Sequence, residues 1–228
     1  MNVRAVARVA GMLSLAVVVL AGAVLAVETA VAYAGPGDYR FTATYQPAGL
    51  EGHRRTRPVA QRCGPIRYLI NNHGNVDHPR WLNATHRAVA GIARRTGQPW
   101  VFDGHTRQSA IAGTFNRDLG NGRVIIEFAW PGDGPQTPAA WGNPWRAGNQ
   151  YRGGMLLVNP SVALKPWHNN DWMAGLIRHE LGHVYGLDHV HTVDPELMRP
   201  VYGATHTYGR GDRNGLARLA ANCQRPTP

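Results

Sequence analysis

The stretch HELGHVYGLDH, residues 179–189, sets three histidines, a glutamate and a glycine at spacings that decide how the rest of the chain is read. His179 and His183 are four apart, so on a helix they stand one turn above the other and both rings can reach one ion. Glu180 is turned about 100° from His179, which lets it flank such an ion without ligating it. A carboxylate in that position can serve as general base toward a water at the metal. Gly186 falls where the helix has to end, because glycine accepts the positive φ of a terminating turn, and the returning chain then brings His189 back as a third ligand. Three protein ligands leave one zinc position open, the arrangement of a catalytic site, whereas a structural site closes its shell with four.

The full pattern H-E-x-x-H-x-x-G-x-x-H is followed nine residues after His189 by Met198, in ELMRPVY (196–202). On these residues the sequence resembles the metzincin clan of zinc endopeptidases. Within that clan it is most similar to the matrixins, whose methionine turn reads Met-x-Pro-x-Tyr; here the residues are Met198, Pro200 and Tyr202. The resemblance is strongest over residues 170–202 and looser from about residue 63 to the C-terminus. It implies an α/β (α+β) catalytic domain with a twisted mixed sheet, a long helix, an active-site helix and a closing C-terminal helix. It further implies one catalytic zinc on His179, His183 and His189, Glu180 as the base, and Met198 as a floor beneath the metal. Pro200, Val201 and Tyr202 would then wall the pocket for the side chain after the cleaved bond, and Gly175, four residues before the first ligand, would leave that pocket deep. Matrixins also carry a structural zinc and calcium; no matching cluster is legible in this sequence, so a calcium requirement is not expected.

The flanking sequence fits an exported protein. Arg4 and Arg8 precede the apolar run VAGMLSLAVVVLAGAVLAV (9–27), and AYA (32–34) offers a small-x-small cleavage site. Residues 1–34 therefore read as a signal peptide or, because the run is long enough to cross a bilayer, as an N-terminal membrane anchor. Either reading places the remainder outside the cytoplasm. Residues 35–62 are rich in Gly, Pro and Arg without periodicity, as expected of a linker or short pro-segment. Residues 63–225 form the expected catalytic domain.

Inside that domain, IRYLIN (66–71), WVFDG (100–104), RVIIEFAW (123–130) and GGMLLVNP (153–160) read as strands, and 131–152 as a Gly/Pro/Trp-rich loop. PRWLNATHRAVAGIARRTG (79–97) carries Trp81, Leu82, Ala88, Val89 and Ile92 at helical spacing. DRNGLARLAANC (212–223) reads as a final helix with Asp212 as its N-cap, which accounts for the aspartate of the RGD tripeptide. Around the histidines, Met173, Ile177, Leu181 and Val184 form an apolar stripe on a different helix face. The substrate is expected to lie extended along an edge strand, for which residues 141–146 are the first choice.

The two cysteines, Cys63 and Cys223, bracket the domain, and an even number in an exported chain favours a disulfide. The alternative is a cysteine switch, since RCG (62–64) echoes the matrixin pro-segment. The formal net charge of +10 is carried by arginine, with Lys165 the single lysine. It suits attraction to acidic cell-surface polymers, but the arginines are scattered and no aromatic-interleaved nucleic-acid motif accompanies them. The partner expected is a protein or peptide substrate of a monomeric enzyme. The rival readings are a zinc-binding surface module without turnover, which would have no use for Glu180, and a zinc peptidase acting on cell-wall peptides.

Overall fold

In chain order the elements are β1 (Arg40–Phe41), β2 (Thr44–Tyr45), β3 (Arg57–Pro58), β4 (Ile66–Asn71), α1 (Pro79–Thr96), β5 (Trp100–His105), β6 (Arg123–Glu127), β7 (Ala140–Ala147), β8 (Gln150–Val158), α2 (Pro160–Ala163), α3 (Asn170–Tyr185), β9 (Leu187–Asp188) and α4 (Arg210–Ala221). This is a computed structural model, and it describes residues 39–42, 44–45, 57–58, 63–72, 79–109, 122–129, 138–147, 150–163, 165, 167–191, 195–201, 203 and 205–223. The segment expected as signal or anchor lies outside the described residues. Among the described residues no helix is long and apolar enough to cross a membrane.

The main sheet has the order β5-β4-β6-β8-β7. Its first four strands run parallel, and β7 is antiparallel to β8 at one edge. The central strands read as near-continuous apolar runs because parallel strands are covered on both faces. Ile70, Ile126 and Leu156 are wholly buried at matching positions of β4, β6 and β8. On α1, Trp81, Ala84, Ala88 and Ile92 recur every three or four residues and are buried toward α3 and the sheet. On α3 the stripe Met173, Ile177, Leu181 and Val184 lies in the same core. This is the mixed α/β architecture expected from the sequence.

Two expectations are corrected. The stretch 131–152 is not all loop, since it contains the whole of β7 and the start of β8. Gly142 and Pro144 dilute the alternating pattern there, and the proline is tolerated because its nitrogen faces the free edge. Among the described residues of 35–62, Arg40–Phe41 pairs with Leu187–Asp188 directly after α3, and Phe41 packs on the core. Tyr39 accepts a hydrogen bond from Arg218 of α4 at 3.2 Å. Finally, Gly209 rather than Asp212 caps α4; Asp212 sits at N3 and its carboxylate accepts the Gly209 amide at 2.9 Å.

Cys63 and Cys223 form a disulfide with a Cα–Cα separation of 5.0 Å, tying the entry of β4 to the residues after α4. The pairing is the one expected, and it leaves Cys63 no free thiol with which to occupy a metal position as a switch.

Candidate metal centre

The centre begins with the two caps of α3. Asn169 receives the Trp172 amide at 2.8 Å and starts the helix. Gly186 ends it at φ 111°, a conformation in which its amide meets the His183 carbonyl at 2.9 Å. The chain then reverses through β9 and delivers His189 to the helix face that carries His179 and His183.

The three imidazoles converge. Nε2 of His189 lies 3.2 Å from Nε2 of His179 and 3.1 Å from Nε2 of His183. Nδ1 of His179 is 2.6 Å from the Leu197 carbonyl, and Nδ1 of His183 is 2.9 Å from the Leu187 carbonyl. A carbonyl only accepts, so each Nδ1 carries the proton and each Nε2 of these two rings presents a lone pair inward. Burial is the main cause that pulls His179 down to about 3 and His189 to about 4, and it lowers His183 as well. The neighbouring histidines push His179 and His189 in the same direction. The rings are thus neutral at ordinary pH, and the His179 and His183 lone pairs converge on Nε2 of His189, a set of nitrogens that one cation can draw together. A tetrahedral zinc with bonds of about 2.0–2.1 Å needs nitrogens about 3.3–3.4 Å apart, close to the spacing seen. Among the described residues this is the one group of three or more potential ligands.

Glu180 is 6% exposed and lines the same cleft as the three histidines. Burial raises its carboxyl to about 7, against a lowering contribution from a hydrogen bond with the Gly142 backbone of β7. Gly142 has to be glycine for a steric reason, because a Cβ there would run into the Glu180 carbonyl. Met198 is fully buried against Gly182, in the turn between the two helical histidines, and its carbonyl receives the Val190 amide at 2.8 Å.

Around this centre runs a cleft lined by Thr42, residues 138–144, Trp172, Leu176, His179, Glu180, His183, Asp188, His189, Pro200 and Val201. Pro200 and Val201 therefore belong to its lining, as Trp172 and Leu176 do. Gly175 is buried in α3 and is not part of the lining, and Tyr202 lies outside the described residues.

Other participants were not visible from motif spacing. Glu196 caps α4 by accepting the Gly211 and Asp212 amides at 2.8 and 3.0 Å, and Asp212 returns a carboxylate oxygen to the Leu197 amide at 2.6 Å. Tyr208 donates to the Arg178 carbonyl at 2.6 Å. An acidic residue just before the methionine and another in the following helix's first turn were the only hints of this clasp.

No protein-family model matches the chain, and no curated protein matches its sequence. Among solved structures, the archaemetzincin of Methanopyrus kandleri superimposes with a TM-score of 0.44 and 13% identity over 68% of this chain and 96% of that one. Metalloproteinase-II of Bacteroides fragilis does so with a TM-score of 0.43 and 12% identity over 73% of this chain and 55% of that one. With likenesses this distant, what the molecule can do is decided by its own three imidazoles and Glu180.

Proposed function

We propose that the protein is an exported zinc-dependent endopeptidase of metzincin type, with a matrixin-like methionine turn at Met198, Pro200 and Tyr202. The observation that carries this reading is the convergence of three neutral Nε2 atoms beside a buried carboxylate. His179, His183 and His189 would hold the metal. Zinc, when bound, supplies a Lewis acid that polarises a scissile carbonyl and makes water acidic near neutral pH.

The chain's own residues do the rest. The Leu197 and Leu187 carbonyls fix two imidazoles in the ligating tautomer, the task usual for groups just outside a metal's ligands. Glu180 takes the proton of the attacking water and passes it to the leaving amine, for which a carboxyl held near neutrality is suited. The Gly142 backbone hydrogen bond keeps that carboxylate aimed. A protein or peptide lies extended along the free edge of β7, and the Trp172, Leu176, Pro200 and Val201 wall receives an apolar side chain after the cleaved bond. Glu180 beside the ligands sets this reading above that of a non-catalytic zinc module.

Metal analysis and a peptide library test the reading together. The wild-type protein is expected to hold about one zinc and cleave peptides, and Glu180→Ala to hold zinc while losing about 100-fold or more of the activity. Wild-type protein without zinc under zinc-replete conditions would overturn it.

A further inference from the structure

Among the described residues no strand pairs with the outer edge of β7, and the backbone groups along that edge differ between its two ends. The Asn159 amide donates to the Ala139 carbonyl at 2.9 Å, so residue 139 faces β8 and, by alternation, so do 141 and 143. Ala140, Gly142 and Pro144 then turn their backbone groups away from β8, and all three line the cleft. Their donors differ. Ala140 has an N–H, the Gly142 backbone is engaged by Glu180, and Pro144 has no N–H.

The helix behind the strand shows which end is which. Gly142 abuts the Glu180 carbonyl, and Gly154, paired with Pro144, abuts Val184. The Ala140 end therefore lies beside the first half of α3, with Trp172 and Leu176. The Pro144 end lies beside its second half, toward Asp188. At the Ala140 end a backbone donor stands with Trp172 and Leu176; at the Pro144 end the strand offers no such donor.

Resting on the peptidase reading above, we propose that Pro144 makes substrate recognition one-sided. An extended peptide pairs antiparallel with β7, the geometry with the stronger ladder, so its residues before the scissile bond run beside Pro144 and those after it beside Ala140. The residue opposite Pro144 can donate to the Pro144 carbonyl, but its own carbonyl finds no donor. The substrate class that fits is peptide held mainly by the chain after the scissile bond, with little extended chain needed before it, as in cleavage near an N-terminus.

Two series of peptides around one mapped cleavage site, lengthened residue by residue on either side, test this in the zinc-loaded full chain. Wild-type kcat/KM is expected to rise with lengthening after the bond and to change less than about 2-fold with lengthening before it. Pro144→Ala restores an amide on an edge that needs none for folding. It is expected to raise kcat/KM for peptides lengthened before the bond by about 2- to 10-fold relative to the shortest ones, the worth of one hydrogen bond. Equal gain on both sides in the wild type, or no change in the variant, overturns the proposal. Binding of the same peptides to Glu180→Ala separates the two ideas: absent hydrolysis by the wild type overturns the peptidase reading, while length dependence of binding decides the one-sided edge.

Discussion

Asp212 reaches from the first turn of α4 to the Leu197 amide at 2.6 Å, and the carbonyl of that same leucine receives Nδ1–H of His179 at 2.6 Å. One buried carboxylate thus holds the peptide segment that holds a proposed metal ligand. Removing such support typically weakens metal binding about 10- to 100-fold. Asp212→Ala is therefore expected to lose zinc to a competing chelator at correspondingly lower chelator concentration, although it touches no metal. Unchanged zinc affinity would show that the His179 ring is positioned by packing alone.

Gly142 and Glu180 meet backbone to backbone, so a methyl group added at Gly142 has no flexible side chain to displace. Gly142→Ala is expected to shift the base against the metal, and a misplacement near 1 Å can cost about 100-fold in rate. The expected signature is a fall in kcat with zinc content intact. A variant with wild-type kcat would mean that β7 retreats from the helix without disturbing Glu180.

The ligand set and much of the fold were legible because both follow local rules. Histidines four apart must share a helix face, and the runs 66–71 and 79–97 carry strand and helix periods that the structure reproduces as Ile66–Asn71 and Pro79–Thr96. Beta7 was hidden because Gly142 and Pro144 are there for what they face, a helix backbone and an open edge, and neither reason appears in a period-two pattern. The same holds for Glu196 and Asp212: their roles depend on a contact between a turn and a helix that no local spacing encodes. Gly175, expected from the matrixin resemblance to leave the pocket deep, is buried in α3 and outside the cleft lining.

Zinc binding should release a proton, and from an unusual source. At about pH 5.5 His179 and His189, lowered to about 3 and about 4, are already neutral and have none to give. Glu180, raised to about 7, is protonated at that pH and ionises when a dication arrives beside it. His183, also lowered by burial, contributes alike in both proteins, so calorimetric titration in buffers of different ionisation enthalpy is expected to report about one proton more released per zinc for wild type than for Glu180→Gln. Two or more protons released by that variant would mean that the imidazoles are charged in the metal-free protein.

The Cys63–Cys223 bridge closes a loop of 160 residues around the whole sheet and all of the metal ligands. In the chain-entropy account, closing a loop of that length restricts the unfolded chain enough to contribute about 5 kcal/mol, and measured values commonly fall below that figure. Neither cysteine lines the cleft that holds the imidazoles, so the bond is expected to act on stability and not on chemistry. Paired replacement of Cys63 and Cys223 by serine is expected to lower the denaturation midpoint strongly while leaving zinc stoichiometry and kcat of the folded fraction unchanged. Thiol titration of protein made in an oxidising compartment should find no free cysteine. Two titratable thiols together with full stability would remove the bridge from the fold, and with it one support for the proposal that the chain works outside the cytoplasm.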